Sequence, residues 1–326
     1  MGLPALTACR VGGWALNRAS CVLHPASCVC YPSPVAETDN PLPVEGVHFS
    51  QRRLTVEEGV RLQVYQWRPE RETGAESIFF VAGWISLVSG WRELLEELIP
   101  KHPVFYLETR EKRSAEIDPH LMRPESFSIP RFADDLIVAS EQLGLDGGDA
   151  ILFGSSMGSN AILEALKGDR LPAKAAFLVG PNAEFSFPWW GPTAVRILPP
   201  AVIQGLKKFV IWYLRRFRVN ARDDPEQMAR YVRTICEADP KRLKLSALAV
   251  LGYSVMPGLE TISTPVAVAC AASDSLHGED EVRRIVDVMP RGTAVACPSN
   301  TYMHTATVAG DLESYLAGLA GTTENT

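Results

Sequence analysis

The sequence lacks several features that would narrow its function at a glance. Its 326 residues contain no uninterrupted apolar run near the roughly 18 residues needed to span a bilayer. The longest candidate, Leu245 to Met256, is too short and is broken by Gly252 and Ser254. Positive charge is not in excess: the formal net charge is -6, so no global basic field exists to hold nucleic acid. A disulfide framework is missing as well, because the seven cysteines are odd in number and irregularly spaced. Cys9, Cys21, Cys28 and Cys30 fall near the N-terminus, while Cys270 and Cys297 lie in apolar runs expected to bury free thiols. Cys28-x-Cys30 has no second cysteine pair to complete a zinc knuckle, so no metal site and no cofactor are expected. Histidine is scarce, with six in the chain, and that scarcity makes any general base easy to enumerate.

What is present is a regular alternation of strands and helices from about residue 50. Arg52 to Val56 and Leu62 to Trp67 flank Glu57-Glu58-Gly59 as a hairpin. Further strands are expected at Ser77–Gly83, Pro103–Leu107, Asp149–Phe153, Ala175–Val179, Pro265–Ala271 and Thr293–Cys297. Apolar stripes such as Trp91, Leu94, Leu95, Leu98 and Ile99 mark intervening helices, and Pro130 opens another at its first turn. This pattern implies an α/β fold with a mostly parallel central sheet covered on both faces. Three regions follow: a poorly ordered or loosely docked tail over 1–45, a core over 46–183 and 261–326, and a helical insertion over 184–260. Without a convincing leader sequence, a cytoplasmic location is expected.

The most telling motif is Gly154-Ser155-Ser156-Met157-Gly158, set between the apolar run Ala150–Phe153 and the helix-like Ser159–Lys167. A strand, a G-x-S-x-G turn and a helix make a nucleophile elbow, whose tightness excludes side-chain bulk two residues either side of the serine. A serine hydroxyl needs a base held by an acid. His304 follows the last strand and is the expected base; His277, in the loop after the preceding strand, is its rival. Asp274 ends that preceding strand and is the expected acid, with Glu184, Glu279 and Asp280 as alternatives. The order Ser156, Asp274, His304 is that of this elbow type. An oxyanion hole is expected from the backbone N–H groups of Met157 and of Trp84, the latter in the turn Ala82-Gly83-Trp84-Ile85.

On these residues the chain resembles the α/β-hydrolase superfamily over about residues 50 to 320. The resemblance implies a serine hydrolase with a lid, such as an esterase, lipase or thioesterase. Two departures stand out. Many members have His-Gly where this chain has Ala82-Gly83, and an Asp-x-x-Gly-x-Gly-like run where it has Glu108-Thr-Arg-Glu-Lys-Arg-Ser114. That charged run reads as a solvated loop.

The insertion suggests the substrate. Val202, Ile203, Leu206, Phe209, Val210, Tyr213, Leu214 and Phe217 form one apolar helix face, flanked by Lys207, Lys208, Arg215, Arg216, Arg218 and Arg222. One reading is a lid helix packed on the core with its cations turned to solvent. The other is an interfacial helix that meets anionic lipid. Either places an apolar pocket beneath it, with Trp84, Ile85, Trp189 and Trp190 expected to touch a small-molecule ester. A thioesterase, an acyltransferase or a weakly catalytic ligand-binding protein on the same scaffold remain alternatives.

Overall fold

The computed structural model describes residues 40–185, 189–213, 225–271, 279–299 and 301–323. Its strands are β1 (Val47–Glu57), β2 (Val60–Pro69), β3 (Ile78–Val81), β4 (Val104–Leu107), β5 (Glu116–Ile117), β6 (Ile151–Ser155), β7 (Ala175–Val179), β8 (Val266–Ala271) and β9 (Gly292–Cys297). The helices are α1 (Arg92–Leu98), α2 (Ile129–Leu143), α3 (Met157–Leu166), α4 (Gly191–Ile197), α5 (Pro200–Tyr213), α6 (Pro225–Glu237), α7 (Pro240–Ala249), α8 (Glu279–Val288) and α9 (Thr307–Thr323).

All nine strands join one sheet in the order β1-β2-β4-β3-β6-β7-β8-β9, with β5 beside β2. The hairpin β1–β2 turns at Gly59, whose φ of +78° suits glycine, and pairs antiparallel with β4. From β4 to β9 every pairing is parallel. Side-chain alternation splits the core in two. Phe79, Val81, Leu152 and Leu178 pack with α2, α3 and α8 on one face, and Ile78, Phe80, Phe153 and Phe177 pack with α1 and α9 on the other. Both faces are covered, which is what lets the central strands read as unbroken apolar runs.

Local chemistry sets the helix ends. Ser128 caps α2 by accepting from the Arg131 N–H, Pro130 sits in the first turn, and Gly144 closes the helix at φ +70°. Asp239 caps α7 by accepting from the N–H groups of Lys241 and Arg242, both at 2.9 Å.

Residues 40–45, at the end of the expected tail, are described. Leu42 is buried, and the Trp67 indole N–H donates to the Leu42 carbonyl at 3.1 Å. The buried Trp67 indole N–H thereby finds its acceptor. The remainder of the tail, residues 1–39, lies outside the described residues. Cys270 and Cys297 are both buried, as expected. No helix among the described residues is long and apolar enough to cross a membrane.

Candidate active site

Ser156 sits between β6 and α3 with φ +48° and ψ -117°. A non-glycine residue rarely adopts such a backbone, which costs about 1–3 kcal/mol and persists only where its surroundings impose it. Here they do. The Ser156 N–H donates to the Val179 carbonyl at 2.7 Å, and its carbonyl accepts the first helical bond from Asn160 at 3.0 Å. The flanking glycines have no room for a side chain. A Cβ at Gly154 would lie 2.9 Å from Ser159 Cα, and one at Gly158 would lie 2.2 Å from the Val81 carbonyl oxygen. The second contact presses the start of α3 directly against the end of β3.

Beyond β3 the chain turns over Gly83-Trp84-Ile85-Ser86, closed by the Ser86 N–H donating to the Gly83 carbonyl at 3.0 Å. Ile85 has φ +51° while Trp84 does not have a positive φ, the signature of a type II turn. A β-branched residue in that position is strained. Gly83 lies over Ser156, since a Cβ at Gly83 would stand 3.3 Å from Ser156 Cβ. The N–H groups of Trp84 and of Met157, the first residue of α3, therefore belong to backbone on two sides of Ser156. The Trp84 indole is half-buried and donates to Ser246 Oγ on α7 at 2.9 Å. Ile85 is half-buried in the same turn.

The charged run after β4 is buried over Glu108–Lys112 and exposed at Arg113. Glu108, Thr109, Arg110, Glu111 and Lys112 are each at most 7% exposed. Arg110 makes a two-pronged pair with Asp135, both contacts at 2.6 Å, and reaches Glu57 at 2.8 Å. Lys112 Nζ donates to the Gly83 carbonyl at 2.7 Å and pairs with Glu111 at 2.8 Å. Glu111 Oε1 accepts from the Ile85 N–H at 3.3 Å and from Thr109 Oγ1 at 2.9 Å. Arg242 on α7 covers the run, donating to the carbonyls of Arg110 (3.3 Å), Lys112 and Ala115 (2.7 Å). Burial pushes the Glu108 carboxyl above the usual carboxylate range, opposed by Ser114 and Lys112. Mixed signs at adjacent positions were the available clue, because a self-neutralising run can be buried where a run of one sign cannot.

His304 lies in a short 3-10 turn, Tyr302–His304, between β9 and α9. Its ring packs on Trp91 with centroids 4.2 Å apart. Trp91 is fully buried, stands edge-on to Phe80 and Phe153, and donates its indole N–H to Ser86 Oγ at 3.0 Å. One aromatic thus ties His304 to the turn that overlies Ser156. Asp274 and His277 lie outside the described residues. Glu184, an alternative acid, is exposed and 3.7 Å from Arg284.

Solved structures of similar architecture share this arrangement of sheet and helices. An enol-lactonase from Burkholderia xenovorans LB400 superposes with a TM-score of 0.65 at 17% identity, over 82% of this chain and 99% of that one. An esterase from Rhodococcus sp. ECU1013 gives 0.63 at 15%, over 82% and 98%. A hydrolase from Oleispira antarctica gives 0.61 at 19%, over 78% and 94%. The chain has the α/β-hydrolase fold. No protein-family model and no curated protein matches it.

Within this hydrolase fold, α4 to α7 lie between β7 and β8. Trp189 and Trp190, expected to touch substrate, stand 91% and 56% exposed. Val202, counted on the apolar face of α5, is 42% exposed. Lys207 does not turn to solvent: it is buried and donates to the carbonyls of Cys236 (3.1 Å) and Ala238 (2.6 Å). The carbonyls at the end of α6 need donors, and a cation there also suits the helix dipole. Lys208 remains exposed. Leu214 to Asp223 lie outside the described residues. Among the described residues no cluster of three or more His, Cys, Asp or Glu side chains is set to hold a metal ion.

Proposed function

We propose that this chain is a serine hydrolase of carboxylic esters, working through an acyl-enzyme on Ser156. One observation carries the reading: Ser156 is held at φ +48° in the turn between β6 and α3, with the Gly83 turn packed against its Cβ. The names of the structural neighbours, esterase and enol-lactonase, agree with it. In this mechanism His304 removes the serine proton as Oγ attacks the carbonyl carbon. Asp274 orients His304 and stabilises its charged form. The N–H groups of Trp84 and Met157 hold the oxyanion. His304 then gives its proton to the leaving alcohol and later activates water to release the acyl group. The same acyl-enzyme would serve a thioesterase or acyltransferase with a different leaving group or acceptor.

The residues 184–260 act as a lid in this reading, with α7 as its inner surface through Trp84–Ser246 and Arg242. An apolar acyl group suits the Trp84 indole and Ile85. The exposed Trp189, Trp190, Ile197 and Trp212, with the exposed Lys208 on α5, favour peripheral contact with an anionic lipid surface.

A fluorophosphonate probe tests the central reading. It should label wild type on Ser156, lose all labelling in Ser156→Ala, and label His304→Ala at least a hundredfold more slowly. A folded wild type that stays unlabelled would exclude a serine hydrolase.

A further inference from the structure

Lys112 and Glu111 do nothing in the mechanism above, yet both are buried against the turn that it depends on. Such pairs give little net stability over apolar replacements, so their placement calls for another reason. The geometry of the turn supplies one. The Gly83 carbonyl and the Trp84 N–H are opposite ends of one planar trans peptide, so they point in opposite directions. Fixing the carbonyl fixes the N–H. Two donors converge on that carbonyl, Lys112 Nζ at 2.7 Å and the Ser86 N–H at 3.0 Å. One residue on, Glu111 holds the Ile85 N–H and with it the strained φ of +51°.

We propose that the buried Lys112–Glu111 pair is a positioning device for the oxyanion turn, aiming and polarising the Trp84 N–H. The inference rests on the serine hydrolase reading. Lys112 is a positioning residue, since it acts through the Gly83–Trp84 peptide and not on substrate. Its charge on the carbonyl draws electron density from the amide and strengthens the N–H as a donor. The effect grows as negative charge develops on the reacting oxygen, so it belongs to the transition state more than to bound substrate. Glu111 keeps the ammonium from drifting and pins the other end of the turn.

The test compares wild type with Lys112→Met, Lys112→Arg and Glu111→Gln in the full chain. The readouts are hydrolysis of p-nitrophenyl butyrate and inhibition by a trifluoromethyl ketone, whose serine adduct carries the oxyanion. Lys112→Met should lower kcat about thirty- to hundredfold with KM within threefold, below the loss from deleting an oxyanion donor outright. Inhibition by the ketone should weaken by a factor similar to the loss in kcat/KM. Lys112→Arg should recover at least a third of wild-type kcat. A folded Lys112→Met with kcat within threefold of wild type overturns the proposal, as does equal loss in KM and kcat/KM with unchanged kcat. If Lys112→Met does not fold, Glu111→Gln decides: about a tenfold lower kcat at unchanged KM supports the device, and wild-type kcat overturns it. Failure of the underlying reading is distinct, because wild type itself would then show no fluorophosphonate labelling of Ser156.

Discussion

Gly158→Ala perturbs the proposed site without touching a reacting group. A Cβ at this position would stand 2.2 Å from the Val81 carbonyl oxygen and 2.7 Å from that of Ala82. Real Cβ atoms essentially never approach below 3.0 Å, so α3 and the end of β3 must separate by close to an ångström. Both obstructing groups are backbone, so no side-chain rotation relieves the clash. The cost should lie near the upper end of about 1–3 kcal/mol for overpacking. The helix propensity gained by replacing glycine with alanine offsets about 1 kcal/mol of that.

The expected functional cost is larger than the stability cost, because the two proposed oxyanion donors lie on either side of this contact. Met157 precedes Gly158 on α3, and Trp84 follows Val81 and Ala82 beyond β3. Donors work at about 2.7–3.1 Å from the oxyanion, so an added ångström removes one of the two bonds. That corresponds to a loss of about 10²–10³ in kcat, or roughly 3–4 kcal/mol of transition-state stabilisation. The assay is p-nitrophenyl butyrate hydrolysis on protein shown to be folded by circular dichroism and a melting curve. Gly310→Ala is the control, since a Cβ there meets nothing within 4 Å. It should leave kcat unchanged. A folded Gly158→Ala with kcat within threefold of wild type refutes the idea that this glycine sets the spacing of the donors.

Two further outcomes are expected. Burial pushes the Asp135 carboxyl up to about 6 despite its pairing with Arg110. Because the folded state then holds this proton more tightly than the unfolded chain, the group's contribution to stability is full below about pH 4 and is lost as pH rises to about 6, by at most ~3 kcal/mol. Urea midpoints measured from pH 4 to 7 should show a flatter dependence in Asp135→Asn, and an identical slope in the two proteins would sink the assignment. For lipid contact, sedimentation with phosphatidylserine vesicles should fall as salt rises from 0.05 to 0.5 M, on the scale of a shrinking Debye length of about 14 to 4 Å. Trp189→Ala with Trp190→Ala should weaken it, and absence from the low-salt pellet would exclude it.

The elbow was legible because its requirement is steric: glycines two residues either side of Ser156 are demanded by backbone that comes within 2.9 Å of where a Cβ would be. The sheet was legible because two-sided burial leaves unbroken apolar runs. Trp91 satisfies an amphipathic stripe through its spacing from Leu94, Leu95 and Leu98. It stands just before α1, and its packing on His304 depends on a residue more than two hundred positions away. The burial of Lys207 is not legible from periodicity, which cannot see α6, whose end supplies the carbonyls that draw it inward.

The charged run shows the same limit with a larger consequence. Charges after a strand are normally solvated; here Asp135 pairs Arg110 and Arg242, on a helix some 130 positions on, bonds the run's carbonyls, partners that local sequence does not reveal. The two places where the sequence departs from the pattern it resembles, Ala82-Gly83 and Glu108–Ser114, look unrelated in the chain. In the fold they touch, through Lys112 on the Gly83 carbonyl and Glu111 on the Ile85 N–H. A turn carrying a strained β-branched residue needs something to hold it, and a buried ion pair bonded to both ends of the Trp84 unit can do so. In this chain the two departures therefore form one contiguous unit, a strained turn and the charged floor beneath it.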